Sequence, residues 1–240
     1  MFAKTTTMLP QCDGCSRLDE ADHRIANHLA MLGSYVRLKS AKLIRQGATA
    51  PVGEAVLVLK AIGVQIDAIS QLHRFLAVQT TPRNLDLQNY LVNICAALRS
   101  AVAEDVQIIE DFGAGCALSP QDMLPVAQIV TEVMTNAIKH GQSGAGGAII
   151  RVSCQNDNLG SILIEVCDNG PGLPAPAMTK TPPGLGLRII ETLADQVGGR
   201  IEYLSGHQGL TVRLTLPDLA LPASLEGASV LSSDMPAPRP

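Results

Sequence analysis

Apolar positions in the first third of the chain recur at intervals of three, four and seven. From Leu18 to about Gln46 they fall at Leu18, Ile25, Leu29, Leu32, Val36 and Leu43, one continuous stripe on a helix. Gly47 to Gly53, with Pro51, interrupts the pattern. A second helix is predicted from about Glu54 to Gln79, with Leu59, Ile62, Ile66, Ile69 and Leu76 on one face. Two long helices joined by a short turn make an antiparallel hairpin. A single hairpin has too little partner surface to hide both stripes, so the pattern predicts a homodimer in which two hairpins form a four-helix bundle.

After Thr80-Thr81-Pro82 the period changes. Helices are predicted at Asp86 to Val102 and Met123 to His140, with a strand from Val106 to Asp111 between them. Ala148 to Cys154 and Ser161 to Asp168 alternate like paired strands across the turn Asn156-Asp157-Asn158. A helix at 186–197 stops at Gly198-Gly199, and strands follow at Arg200 to Leu204 and Leu210 to Leu216. The expected fold class is therefore α+β: a two-helix hairpin at 18–81, then an α/β sandwich at 84–217. Residues 1–17 read as a flexible arm. The Pro, Ala and Ser content of 218–240 reads as a disordered tail.

Composition narrows the function classes. The net charge of −4, without a basic block, argues against nucleic acid or an anionic membrane surface as partner. Trp is absent and only three Tyr and three Phe are present, so base-stacking platforms are excluded as well. No apolar run approaches the roughly 18 residues a membrane span needs, and no signal-peptide core opens the chain. The expectation is a cytoplasmic protein without membrane insertion. Of the six cysteines, only Cys12 and Cys15 are closely spaced, and no second pair completes a zinc site.

The chemistry is concentrated in three pieces. Asp168-Asn169-Gly170-Pro171-Gly172 sets a carboxylate at the end of an apolar strand and follows it with a glycine turn. A carboxylate there accepts from the exocyclic amino group of adenine and repels the carbonyl of guanine, while Gly170 and Gly172 let backbone approach the base. Gly184-Leu185-Gly186 opens a helix whose first amides favour phosphate. The helix before both turns carries Glu132, Asn136 and either Lys139 or His140 on one face. A polar stripe on an otherwise apolar helix needs partners, and a hydrated magnesium ion with phosphates supplies them. Asn136 is placed to touch the metal, Glu132 to orient metal or water, and Lys139 to face phosphate. Gly144 to Gly147 is not a phosphate loop, because no Lys-Ser/Thr follows.

These pieces resemble the N, G1 and G2 boxes of the histidine-kinase ATP-binding domain, within the superfamily that includes gyrase, Hsp90 and MutL ATPases. The resemblance implies ATP and Mg2+ bound beneath a lid, here with a very short segment between the two glycine turns. On the first helix, His23 and Asn27 project almost opposite the apolar stripe as an i, i+4 pair, whereas His28 and His73 read as core residues. His23-Arg24-Ile25-Ala26-Asn27 resembles the His-Arg-x-x-Asn phosphoacceptor box of one subfamily. The related subfamily marked by Trp-x-Glu is disfavoured, since this chain has no Trp.

The resemblance implies autophosphorylation on His23 and transfer to an aspartate of a response regulator receiver domain. Asn27 would orient that transfer, or a water for the reverse dephosphorylation. Arg24 departs from the acidic residue that many histidine kinases carry after the histidine, leaving Asp19, Glu20 or Asp22 to hold the imidazole tautomer. No sensing domain is recognisable before the hairpin, so input is expected from a separate sensor protein or through the N-terminal arm. The alternative is a dimeric phosphotransfer hub whose ATP domain is vestigial.

Overall fold

The computed structural model describes residues 13–47, 51–78, 84–102, 105–141, 147–157, 160–173, 185–206 and 209–217, with the backbone alone described at 13–24, 75–78 and 185. The expectations for Gly184, His207, Cys12 and the C-terminal tail lie outside these residues. The two N-terminal helices are α1 (Asp13–Gln46) and α2 (Val52–Val78). α1 begins five residues before Leu18, because apolar periodicity marks only the part of a helix that carries apolar side chains.

A two-residue strand β1 (Leu85–Asp86) leads into α3 (Leu87–Arg99). The Asp86 carboxylate accepts from the Gln88 amide as N-cap, which satisfies one of the free donors of the first turn. Leu87, Leu91, Ile94, Cys95 and Leu98 form the buried face of α3 at helical spacing. Then come β2 (Val106–Phe112), β3 (Ala117–Leu118), α4 (Pro120–His140), β4 (Ala148–Asn156), β5 (Ile162–Asp168), α5 (Leu185–Gln196), β6 (Arg200–Gly206) and β7 (Gly209–Leu216). The short pair β1–β3 had no signature in the sequence pattern, since two residues are too few to show a period.

The main sheet has the order β2-β4-β5-β7-β6. β2 runs parallel to β4 and every other pairing is antiparallel. The sheet is therefore mixed, and it forms one layer of the α/β sandwich that the sequence predicted. α4 touches the inner sheet strands β4 and β5, and also α2, α3 and α5. It lies between the sheet on one side and the hairpin on the other, and every residue from Met123 to Thr135 is buried. Ser119 caps it, with Oγ accepting from the amides of Gln121 and Asp122.

The hairpin packs on α3 and α4 with a face largely distinct from the stripe that the sequence assigns to the seam with a second hairpin. On α2 the buried residues are Leu57, Val58, Ala61, Val64, Gln65, Ala68, Ile69 and Leu72, whereas Leu59 is 68% and Ile66 47% exposed. α2 is apolar nearly all the way round, so periodicity could not choose between its faces. On α1, Tyr35 and Lys39 are buried and Leu29 is exposed. Each fully buried leucine such as Leu72 contributes about 1.5–3 kcal/mol relative to exposure. That makes the contact of the hairpin with α3 and α4 a substantial interface within the chain.

Candidate functional site

A cavity of about 670 Å3 opens at the end of α4, between α1, α5 and strands β5 to β7. Glu132, Asn136 and His140 line it from α4, Asp168 and Gly172 from the turn after β5, and Gly186 from the start of α5. Six of the residues singled out in the sequence therefore share one space, although they come from three separate stretches. Gly170 and Lys139 do not line it.

Asp168 is aimed by backbone. Its Oδ1 accepts from Gly170 N at 2.9 Å and Leu210 N at 3.2 Å, leaving Oδ2 for a ligand. Asn169 fastens the turn to β4, its Oδ1 accepting from Ile149 N at 2.8 Å. The apolar wall beside Asp168 is formed by Val166, Ile190, Tyr203, Leu210 and Val212. A hydrogen-bonding carboxylate at the edge of an apolar slot suits a flat base with one amino donor.

The glycines of this turn serve the protein's own packing first. A Cβ at Gly170 would meet Gly141 Cα at 2.7 Å, and one at Gly172, where φ is +73°, would meet Ser205 Oγ at 2.6 Å. Gly186 is a close approach of another kind: its Cβ would lie 2.6 Å from Glu132 Oε1. Bare backbone at the start of α5 is thus packed against the polar stripe of α4. Gly209, which the sequence pattern did not single out, has φ +125°, and a Cβ there would fall 1.8 Å from Asp168 O. The only trace it left in the sequence is a glycine just before a strand.

The polar stripe of α4 finds much of its partnership inside the chain. Lys39 Nζ lies 2.6 Å from Glu132 Oε2 and 2.7 Å from Oε1, with both side chains buried. Tyr35 donates its hydroxyl to Glu132 Oε2 at 3.3 Å. Burial and the neighbouring carboxylate both push the Tyr35 hydroxyl up, so it stays a neutral donor. Burial lowers the Lys39 pKa despite Glu132 beside it. At the residue before Glu132, Gln65 Nε2 donates to Thr131 Oγ1.

Lys139, expected to face phosphate, instead donates to Glu54 Oε1 of α2 at 2.8 Å. Lys42 Nζ sits 3.3 Å from the same oxygen. The geometric reason is angular: three residues after Asn136 is about 60° off its direction, whereas His140, four after, is about 40° off. His140 takes the cavity position. Its imidazolium is disfavoured by partial desolvation first, then by the ammonium groups of Lys42 and Lys139. Leu38, Lys39, Lys42 and Arg45 of α1 complete the wall at this end. These α1 residues were not expected at the site, because the sequence cannot show which helix docks beside the cavity.

The residues fit a magnesium-bound polyphosphate. Among the described residues, the Asn136 carboxamide makes no hydrogen bond to another side chain while lining the cavity. An oxygen donor of that kind beside a buried carboxylate suits a hard cation. No group of three or more metal-ligating side chains occurs among the described residues, so an ion here would take most of its oxygens from water and phosphate.

His23 and Asn27 lie on α1 well away from this cavity. Asn27 is exposed and borders a second hollow of about 440 Å3, with His28, Met31, Pro120 and Gln196. His28 and His73 are half-buried against each other, ring centroids 5.5 Å apart. Among the described residues no helix is long and apolar enough to cross a membrane.

Comparison with known proteins gives two family matches. Residues 20–102 match the family described as "Histidine kinase", and residues 121–220 match "Histidine kinase-, DNA gyrase B-, and HSP90-like ATPase". The blue-light-activated histidine kinase 2 of Erythrobacter litoralis is 24% identical over 216 residues, 84% of this chain and 57% of that protein. The sensor protein NarQ homolog of Haemophilus influenzae is 32% identical over 151 residues, 62% of this chain and 25% of that protein. The chain thus spans between about a quarter and just over half of these curated relatives. The solved histidine kinase domain of Erythrobacter litoralis EL346 superposes with a TM-score of 0.62 at 21% identity, covering 85% of this chain and 91% of that one. That likeness establishes the fold.

Proposed function

The chain belongs to the histidine kinases, and on that premise we propose that it is an ATP-dependent protein-histidine kinase that phosphorylates itself on His23 and passes the phosphoryl group to an aspartate of a response regulator. The observation that carries the reading is the joint placement of Asp168, Asn136, Glu132 and Gly186 around one cavity. These residues supply a base-reading carboxylate, a metal-facing amide and a phosphate-facing helix start in the order that adenine, ribose and triphosphate require.

Asp168 Oδ2 accepts from the adenine amino group, since Oδ1 is held by Gly170 and Leu210. The first amides of α5 face the phosphates. Asn136 would hold a hydrated Mg2+, which would supply charge neutralisation at the triphosphate. The unprotonated nitrogen of a neutral His23 imidazole forms a bond to the γ-phosphorus as the bond to the ADP oxygen breaks, and the one N–H proton of the resulting ring passes to water. Asn27, one turn after His23, orients the acceptor or the water that reverses the reaction. Glu132 acts toward metal or water once it is free of Lys39.

Two copies pair through the exposed apolar residues of the hairpin, among them Ile25 and Leu29 of α1 and Leu59 and Ile66 of α2. Exposed side chains of this size at helical spacing are the seam a four-helix bundle closes.

The test is incorporation of label from γ-labelled ATP into wild type and His23→Gln, with nucleotide binding measured in parallel. Acid-labile label lost in the variant, at unchanged nucleotide affinity, supports the kinase. A wild-type chain that binds no nucleotide but accepts a phosphoryl group from a phosphorylated receiver domain is the phosphotransfer hub instead.

A further inference from the structure

Two ion pairs join the hairpin to α4 at the phosphate end of the cavity: one occupies Glu132, which the proposed reaction needs, and the other occupies Lys139, the cation beside it. Lys39 of α1 holds Glu132, and Glu54 of α2 holds Lys139. The first pair is buried on both sides and the second is little exposed. In this arrangement Glu132 and Lys139 are each already engaged by a charge of the hairpin.

The docked arrangement also puts the phosphoacceptor out of reach. Lys39 stands at the cavity, and His23 lies sixteen residues earlier on the same unbroken helix, about 24 Å along its axis at 1.5 Å per residue. A partner hairpin in a parallel two-fold bundle carries its own His23 at the same height, so transfer between copies meets the same gap. Phosphoryl transfer requires reacting atoms roughly 3–3.5 Å apart. The ATP-binding unit must therefore leave its seat on α1 and α2 before His23 can react.

We propose that Lys39 and Glu54 form a latch that holds the ATP-binding unit away from His23, and that the magnesium–triphosphate end of the nucleotide opens it. The inference rests on the kinase reading above. Its chemistry is an exchange of partners. Mg2+ competes with the Lys39 ammonium for the Glu132 carboxylate, and phosphate oxygens compete with the Glu54 carboxylate for the Lys139 ammonium. A magnesium-bound polyphosphate brings both charges at once, whereas a nucleotide without metal brings only one. Lys39 and Glu54 are positioning residues here; neither touches the reacting atoms in the open state.

The cost of the latch is paid in affinity. A nucleotide that binds productively only to the open arrangement has its apparent affinity reduced by the fraction open. Weakening the latch raises that fraction and tightens binding. A merely structural ion pair would do the reverse, because loss of a packed contact beside the pocket loosens the site.

The test uses the whole chain with Mg2+ and the non-hydrolysable analogue AMP-PNP, and two readouts. Acylation of Lys39 by a water-soluble ester, followed by mass spectrometry with exposed Lys60 as internal reference, reports release of α1 without any turnover. Calorimetry gives the AMP-PNP dissociation constant. Mg·AMP-PNP is expected to raise Lys39 labelling about fivefold or more, metal-free AMP-PNP to raise it less, and Glu54→Gln to tighten Mg·AMP-PNP binding about five- to tenfold as the open fraction rises. Nucleotide bound with Lys39 still protected overturns the latch and leaves the kinase reading standing. Weaker binding in Glu54→Gln also overturns it. A wild-type chain that binds no AMP-PNP overturns both readings together. The wild-type labelling needs no variant, so a poorly folding mutant cannot obscure the outcome.

Discussion

Lys39 on the hairpin and Glu132 on the central helix of the ATP-binding unit meet at 2.6 Å in the interior, although 93 residues separate them in the chain. Tyr35 donates to the same carboxylate. A buried carboxylate with an ammonium and a hydroxyl as partners is well satisfied, and removing one partner of such a pair typically costs about 3–5 kcal/mol. Here the loss falls first on docking of the hairpin, because that contact is what the pair spans.

Reading of the base is expected to rest on one oxygen. Asp168→Asn keeps an Oδ1 that can accept from Gly170 and Leu210, but turns an amide donor toward the adenine amino group. ATP affinity should fall roughly 30-fold, the equivalent of leaving a buried donor unpaired at ~2 kcal/mol. GTP affinity should fall less or rise, since guanine presents an acceptor there. Calorimetry with both nucleotides checks the ratio, and an equal loss for both would sink the assigned role.

Gly209 and Gly206, the two ends of the β6–β7 connection, should respond in opposite ways to alanine. At Gly209 a Cβ collides with Asp168 O and the backbone has φ +125°. Strain of about 1–3 kcal/mol is expected, together with displaced Asp168 and weakened nucleotide binding. At Gly206 a Cβ meets nothing within 4 Å, so alanine should change stability by less than about 0.5 kcal/mol. Thermal melts of the two variants, with and without nucleotide, make the comparison.

Docking of the hairpin should depend on acidity through Glu54. The hydrogen bond from Lys139 is the main cause that holds its carboxyl at about 2, below the ordinary 4.5. A depressed folded-state pKa contributes stability that is complete above the unfolded value and is lost as pH falls through the folded one. The affected window is therefore about pH 4.5 to 2. The thermal midpoint should fall across that window in wild type, and Glu54→Gln should show a flatter profile. A profile that is unchanged by the substitution would remove Glu54 from the account.

Self-association should depend on a residue the monomer leaves in solvent. Leu59 is 68% exposed, so Leu59→Glu costs the folded chain little, about 0.5 kcal/mol or less. In a bundle it would bring a charge into the seam. Sedimentation should show the variant shifted toward monomer with AMP-PNP affinity unchanged. A variant that associates as well as wild type would move the seam elsewhere.

Much of the molecule could be read from residue order. The hairpin, the five-stranded sheet and the helices that cover it follow from periods of 3.6 and 2, because those periods are properties of local backbone geometry. The grouping of Glu132, Asn136, Asp168 and Gly186 was legible too, as three motifs in a meaningful order. What escaped were contacts between elements. Gly209 matters only because β7 starts beside the carbonyl of Asp168, and Lys39 only because α1 crosses the cavity.

The choice of buried face on α2 shows the limit most clearly. Its apolar side chains cover nearly the whole circumference, so local pattern leaves several faces equivalent. The fold chose Leu57, Ala61, Val64, Ala68 and Leu72, because α3 and α4 lie on that side. Sequence by itself determined which elements form and which residues can do chemistry, since both depend on near neighbours in the chain. Tertiary structure decided which of those residues are already engaged. Ion pairing and desolvation act between atoms a few ångströms apart, whatever their separation along the chain, and it is through them that Lys139 came to face Glu54 rather than the cavity.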